Sequence, residues 1–188
     1  MNKSLIVIGV IVLIVIVLVG FYFSTYNSIV ALEEKVDTQY SNISVQLERR
    51  ADLIPNLINT VKGYMAHEEK IIKDIADARE KMTNASNIKE MSEANDQLTT
   101  ALNNLNVVVE NYPDLKASQN FINLQDELAG TENRISTARR DYNEAVKEYN
   151  TKIKTMPTSL VASMMGKQSK DYFEVSDKSK EAVPNVEF

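Results

Sequence analysis

The most apolar part of the chain is a continuous run, LIVIGVIVLIVIVLVGFYF, that begins at Leu5, ends at Phe23 and carries no charged side chain. As an α-helix this run is about 28 Å long, which matches the hydrocarbon thickness of a bilayer. Sixteen of its nineteen residues are Leu, Ile, Val or Phe, so insertion is favoured by about 5 to 10 kcal/mol. Tyr22 and Tyr26 stand at its C-terminal edge, where aromatic rings prefer the headgroup level. The pattern predicts a transmembrane anchor over residues 1–25.

A cleaved signal peptide is the alternative interpretation of this run. The run is longer than the apolar core of a typical signal peptide, and no small-x-small cleavage site follows it before a helical pattern resumes. Lys3 precedes the run, whereas Glu33, Glu34, Lys35 and Asp37 follow it. Because the positive-inside rule counts basic residues, this distribution leans slightly toward a cytoplasmic N-terminus and an exported domain.

Beyond the anchor, apolar residues recur with helical spacing through Pro55. Thirty-six residues pass in ten steps of this stripe, which is the period of an amphipathic α-helix. Because the stripe stays in phase, we expect one helix that continues through Pro55 with a kink and loses the hydrogen bond to the Ala51 carbonyl. In the alternative, Asp52 caps a new helix whose first turn holds Pro55. The stripe consists of Ile29, Leu32, Val36, Tyr40, Ile43, Leu47, Ala51, Ile54, Ile58, Val61 and Met65.

Turn signals separate this helix from two further ones. A break is predicted near residues 63–66, because Gly63 suits a helix C-terminus. The second helix is predicted over residues 67–83, with His67 solvated or capping, or alternatively acting as a proton switch. Asn87 and Glu90 make a capping-box-like start for the third helix, which Pro113 is expected to end.

The third helix has one polar exception on its apolar stripe. Asn95 interrupts the stripe, where a polar residue can fix register at some cost in stability. The other stripe positions are Ile88, Met91, Leu98, Leu102, Leu105, Val109 and Tyr112.

The fourth helix has the longest regular stripe. Thirty-five residues pass in ten steps, a period of about 3.5 that favours left-handed, coiled-coil-like packing. Gly130, Thr131 and Ala138 are small, so a neighbouring helix can approach closely there. The stripe runs through Phe121, Leu124, Leu128, Thr131, Ile135, Ala138, Tyr142, Ala145, Tyr149, Ile153 and Met156.

Residues 157–188 form a tail with little periodicity but many apolar side chains. A free tail rarely carries so many, so we expect it to be partly docked on the bundle, on a neighbouring copy or on the membrane. Its apolar residues are Leu160, Val161, Met164, Met165, Tyr172, Phe173, Val183, Val186 and Phe188.

The composition of the chain argues against nucleic-acid binding and excludes most kinds of catalytic and metal-binding site. The net charge of −5 argues against nucleic acid as a main partner, because phosphate binding needs a basic face. The absence of cysteine and the single histidine, His67, exclude disulfides, thiolate sites and a paired-histidine metal site. No strand–turn–helix motif presents a serine nucleophile, and the five glycines form no phosphate-binding run. We therefore predict no enzyme: no catalytic, cofactor-binding or metal-ligating residue, no cofactor and no small-molecule substrate.

A charged cluster beside Pro55 is the strongest remaining candidate. Arg49, Arg50 and Asp52 are predicted on the rim of the first helix, and we expect some of them to pair with the fourth helix in an inter-helix salt-bridge network. A partner-binding or ligand site is the alternative. The charged or polar residues of the fourth helix are Glu127, Glu132, Asn133, Arg134, Arg139 and Arg140.

Long stretches of the chain resemble the LemA family of bacterial membrane proteins. These are YNSIVALEEKVDTQYSNISVQLERRADLIPNLINTVKGYMAHE, YPDLKASQNFINLQDELAGTENRISTARRDYNEAVKEYNTKIKTMP and the tail DYFEVSDKSKEAVPNVEF. The resemblance covers nearly the whole chain in the same order. It implies an N-terminal membrane anchor and an antiparallel four-helix bundle, and it implies no enzyme activity. It also implies a short external N-terminus with a cytoplasmic bundle, opposite to the charge-based lean, so the side of the membrane stays open.

Together these observations predict an all-α, single-pass protein of the cytoplasmic membrane. A transmembrane helix over residues 1–25 is followed by an up-and-down antiparallel four-helix bundle of long helices over 26–156, and by the tail over 157–188. The predicted function is a scaffold or adaptor of the bacterial cell envelope that contacts the bilayer through Leu5 to Phe23 and associates with itself or with other envelope proteins. The alternative is a protein that acts on lipid or at the membrane surface through SLVASMMGK of the tail.

Overall fold

The computed structural model describes residues 3–65 and 67–174, which contain α-helices and no strand. The all-α prediction is thus confirmed, while the four-helix arrangement stays a prediction. The helices are α1 (Lys3–Lys62), α2 (Glu69–Asn84), α3 (Ile88–Val109), α4 (Pro113–Lys116), α5 (Gln119–Lys154) and α6 (Thr158–Met164).

The chain divides into two compact units. Among the described residues, the anchor unit combines 3–38 with Glu144–Lys170, and the Arg50 unit combines 39–65 and 67–143 with 171–174. The predicted boundaries at residues 25 and 156 stay predictions.

Helix α1 continues through Pro55, as the uninterrupted stripe predicts, and the alternative new helix capped by Asp52 is wrong. Proline has no N–H to donate to the Ala51 carbonyl four residues earlier. That carbonyl instead accepts a hydrogen bond of 2.9 Å from Nε of Arg79, a half-buried residue of α2. A side chain from a different helix therefore satisfies the backbone group that the proline leaves free.

The connection between α2 and α3 follows the predicted capping signal. Asn87 accepts a hydrogen bond from the Glu90 backbone N–H at 2.9 Å through its side-chain oxygen. The Glu90 carboxylate in turn accepts from the backbone and hydroxyl of Ser86 at 2.8 and 2.9 Å. Because Glu90 binds Ser86 and not the Asn87 N–H, this is a variant of the capping box, and it fixes the start of α3.

Apolar side chains of α1, α2, α3 and α5 form the core of the Arg50 unit. Leu57 lies inside although it was not assigned to the stripe. Leu115 also lies inside, on the short helix α4, which begins at Pro113 where only a helix end was expected. The fully buried side chains include Ile43, Ile54, Leu57, Leu98, Leu105, Leu115 and Ile135.

Two positions assigned to the inward stripe of α5 lie elsewhere. Met156 follows the end of α5 at Lys154 and is 67% exposed, because the helix stops before it can face the core. Ala138 is only half-buried and lines an open groove. Within the tail, Val161 and Phe173 are buried, whereas Leu160, Met164 and Tyr172 are exposed. The tail residues Val183, Val186 and Phe188 lie outside the described residues.

Candidate functional site

A buried arginine is the centre of the charged cluster in the Arg50 unit. The prediction that Arg50 lies on the rim of α1 is wrong, because the residue is only 3% exposed. Its Nη1 donates a hydrogen bond of 2.5 Å to the side-chain oxygen of Asn95 on α3 and forms a salt bridge with Glu132 on α5. Three helices thus meet at one guanidinium group.

The electrostatics of Arg50 are those of a structural ion pair. Burial lowers the pKa of its guanidinium, and the carboxylates of Glu132 and Asp96 oppose that change. An arginine stays protonated even after such a shift, so its positive charge needs a permanent partner inside the unit. Glu132 supplies the charge and Asn95 supplies a neutral acceptor. Asn95 is thus the inward polar residue that the α3 stripe indicated, and it holds a partner helix.

The remaining charged residues near Pro55 form surface contacts. Arg49 pairs with Glu127 at 3.1 Å, and both side chains are about half exposed. Asp52 is exposed. The predicted pairing between the first and fourth helices, which are α1 and α5 in the structure, is therefore confirmed for Arg49–Glu127 and Arg50–Glu132.

The other polar residues named on α5 do not join the cluster. Arg140 pairs with its neighbour Asp141 at 3.3 Å. Asn133 and Arg134 line the same open groove as Ala138, and Arg139 is half-buried.

The segment from Asp171 to Glu174 is docked in the Arg50 unit by Tyr142, a residue of the predicted stripe, and by Asn143 and Ser92, which the sequence did not indicate. Asn143 donates to the Phe173 carbonyl at 3.0 Å and accepts from the Phe173 N–H at 2.8 Å. The Tyr142 hydroxyl donates to the Asp171 carbonyl at 2.9 Å, and the Ser92 hydroxyl donates to the Glu174 carbonyl. The Phe173 ring is 1% exposed, so an aromatic anchor and backbone hydrogen bonds hold this stretch together.

A similar contact occurs within the anchor unit. Asn150 donates to the Lys170 carbonyl and accepts from the Lys170 N–H, both at 2.9 Å. The Lys170 amine lies 3.8 Å from the Glu33 carboxylate and 3.5 Å from that of Asp37. Lys167 donates to Glu33, which raises the pKa of that lysine. These contacts tie the chain after α6 to the part of α1 that follows the apolar run.

Among residues 3–65 and 67–174, no group of three or more His, Asp or Glu side chains is placed to hold a metal ion. His67 is exposed at the break before α2, with no described nucleophile hydrogen-bonded to it. The contacts of Arg50 with Asn95 and Glu132 join three helices.

Open grooves are the other surface features. The groove of the Arg50 unit between α1 and α5 has a volume of about 460 Å³ and exposes Val45 on α1. It contains the small side chains of Thr137 and Ala138, and the rest is lined by the polar or charged residues Gln39, Asn42, Gln46, Asn133, Arg134 and Asp141. Small side chains and amides suit contact with another protein segment more than enclosure of a small ligand.

The apolar segment of α1 is long and apolar enough to cross a membrane by length and composition. Its side chains are exposed along its length, including Leu13, which is 62% exposed.

Comparison with known proteins gives a family and named relatives. Residues 39–188 match the LemA family. The chain is 27% identical over 189 residues to magnetosome protein MamQ 2 of Paramagnetospirillum magneticum, covering 87% of this chain and 70% of that protein. It is 24% identical over 174 residues to magnetosome protein MamQ of Magnetospirillum gryphiswaldense, covering 79% and 64% of the two chains.

A relative from another organism carries the family's name. Protein LemA of Metamycoplasma hominis is 26% identical over 167 residues, covering 86% of this chain and 76% of that protein. The matched family region contains α2 to α6 and the buried Arg50 cluster. The chain belongs to the LemA family.

Proposed function

We propose that this chain is a membrane-anchored scaffold or adaptor of the bacterial cell envelope, without catalytic activity. Leu5 to Phe23 hold it in the cytoplasmic membrane as a single span, and its helices present a surface to other envelope proteins or to further copies of the chain.

The observation that supports this proposal is that the buried positive charge of Arg50 is bound by residues of the protein itself. Arg50 is the one residue among the Asp, Glu, Lys, Arg and His side chains of the described part of the chain that is buried, and it binds Asn95 and Glu132 from two other helices. A guanidinium held by two protein partners stabilises an arrangement of helices and has no reactive role. Activity then depends on the outer surface of the helices.

The groove between α1 and α5 is the surface we favour for a protein partner. Val45 is 55% exposed there, and the small side chains beside it allow a partner helix to approach closely. Attachment to one membrane also raises the effective concentration of neighbouring proteins, so a weak contact is sufficient.

The names of the relatives are compatible with such a role. Two carry a magnetosome name and one carries the LemA name. A scaffold acts through surface contacts and not through one reaction, so proteins with these different names can share such a role. The alternative role is action on lipid or at the membrane surface. The exposed side chains of Leu160 and Met164 favour contact with lipid, but they do not indicate a reaction on lipid.

The test is crosslinking of the full chain in native membranes, followed by mass spectrometry. A photo-crosslinking residue at Val45 should give discrete protein adducts, whereas one at Val107, a 71% exposed position of α3, serves as the matched control. Adducts of one partner at Val45 that are absent at Val107 support the proposal. Only lipid adducts, or identical adducts at both positions, would contradict it.

A further inference from the structure

An exposed apolar face lies at the end of α5 and along α6, within the anchor unit. Met156, Leu160 and Met164 are 67, 60 and 76% exposed. Leu160 and Met164 are four residues apart and so lie on one face of α6. Val161 and Ala162, on the other side of the helix, are 5 and 2% exposed. The short helix therefore has one apolar side that is packed and one that is not.

The ion pairs of the anchor unit fix the level of this face along α1. The Lys35 amine of α1 forms a salt bridge of 2.7 Å with the Glu148 carboxylate of α5. After the end of α6, the Lys167 amine donates a hydrogen bond to the Glu33 carboxylate of α1. Leu32 lines one cavity together with Met156. The turn from α5 into α6 is thus held against the part of α1 that immediately follows the apolar run.

Burial on α1 shows how closely the turn approaches the membrane segment. Thr25 is 5% exposed and Ile29 is 0% exposed. The anchor unit groups this part of α1 with the segment Glu144–Lys170. At 1.5 Å per residue, Thr25 lies about 3 Å and Ile29 about 9 Å beyond Phe23.

Those distances correspond to the headgroup layer. The polar region of a bilayer adds about 5 to 8 Å on each side of the hydrocarbon core. Side chains that protrude from the turn at this level meet lipid before they meet bulk water. Lys152 and Lys154 occupy the last turn of α5, and basic side chains at this depth suit lipid phosphates.

We propose that Met156, Leu160 and Met164 form an interfacial foot that inserts among the lipid headgroups of the bilayer that α1 spans. The foot gives the anchor unit a second contact with the membrane and so limits its tilt and rotation. This inference rests on the proposed membrane span. Methionine and leucine suit the role, because an interfacial segment gains from apolar area buried at the acyl boundary.

The test is depth-dependent quenching on the full chain in phosphatidylcholine–phosphatidylglycerol vesicles. The sequence contains no cysteine, so Leu160→Cys and Met164→Cys each accept a single polarity-sensitive fluorophore at an exposed position. Lys147→Cys is the matched control, because Lys147 is exposed on α5, the helix that precedes α6, and lies seven residues before Lys154. Val12→Cys reports on the anchor itself.

The expected result is loss of fluorescence at positions 160 and 164 with lipids that carry a nitroxide near the headgroup, and no loss at position 147. Quenching at position 12 by lipids that carry a nitroxide deep in the acyl chain, without quenching at 160 or 164 by the headgroup nitroxide, overturns the foot and leaves the anchored scaffold standing. No quenching at position 12 by the deep nitroxide overturns the anchor as well. Energy transfer between labelled copies, without quenching by lipid, would show that a second copy covers the face and would overturn the proposal.

Discussion

Glu132→Ala removes the charged partner of a buried arginine and is the sharpest test of the Arg50 cluster. Arg50 is 3% exposed, and in the variant it keeps the neutral oxygen of Asn95 as an acceptor and the carboxylate of Asp96 as a neighbouring charge. Loss of one partner from a buried pair costs about 3 to 5 kcal/mol when both groups are fully enclosed. The Glu132 side chain is 42% exposed, so water can partly replace it. We therefore expect a loss of about 2 to 3 kcal/mol in the free energy of unfolding.

The matched control for this variant is Glu127→Ala. Glu127 lies on the same helix and also pairs with an arginine of α1, but both side chains of that pair are about half exposed. An exposed pair contributes about 0.2 to 1 kcal/mol. Denaturant titration of the full chain in detergent, followed by circular dichroism, measures both changes. A cost for Glu132→Ala no greater than that for Glu127→Ala would refute the structural role of the buried pair.

Three further variants test other parts of the account. Arg79→Met should destabilise the chain by about 1 to 3 kcal/mol because it leaves the Ala51 carbonyl unsatisfied. The additional change Pro55→Ala should reduce that cost by restoring an N–H donor; an equal cost in both backgrounds, measured in denaturant, would disprove the link. Phe173→Ala should remove about 1.5 to 3 kcal/mol of docking energy, which makes hydrogen exchange at the docked segment about ten- to hundredfold faster; unchanged exchange would show that the ring is not the anchor. Hydrogen bonds to Glu90 lower its pKa below the ordinary 4.5, so its contribution is present above pH 4.5 and is lost as the pH falls through the lowered value. Glu90→Gln should therefore flatten the acid dependence of the thermal midpoint, and an unchanged acid limb would contradict this.

Regular periodicity was sufficient to predict much of the helical structure. The phase of the stripe correctly predicted that α1 continues through Pro55, and the Asn87 and Glu90 spacing correctly predicted the start of α3. Both are local effects, in which the relevant atoms lie within one or two helical turns. Such effects can be recognised from residue order alone.

The position of Arg50 could have been found from spacing, although its residue type argued against burial. Leu47, Arg50, Ile54 and Leu57 follow one another in steps of three and four and are all buried. Arginine is rarely buried without a partner, and the partners here come from helices far along the chain. Asn95, a polar residue on the apolar stripe of α3, indicated that a buried polar partner was present.

Other contacts left no local signal. The hydrogen bond from Arg79 to Ala51 joins residues 28 positions apart, and only the fold brings them together. Asn143 and Asn150 are seven residues apart and therefore lie on one face of α5, but a pair of asparagines at that spacing does not indicate that each binds a backbone segment of the tail. Leu160, Val161, Met164 and Met165 have helical spacing, but the seven residues of α6 are too few for the pattern to predict a helix with defined ends.

The central claim is that the Arg50 cluster is a structural device and that the chain acts through its outer surface. The most direct measurement compares photo-crosslinked partners in native membranes for two versions of the Val45-labelled full chain, one wild-type at the cluster and one with Arg50→Met, Asn95→Leu and Glu132→Leu together. Replacing a whole buried polar cluster by apolar residues is often tolerated, and circular dichroism would verify that the triple variant is folded. The account predicts the same protein adducts in both versions. Loss of those adducts from a folded triple variant would contradict it, because the cluster would then be part of the binding site.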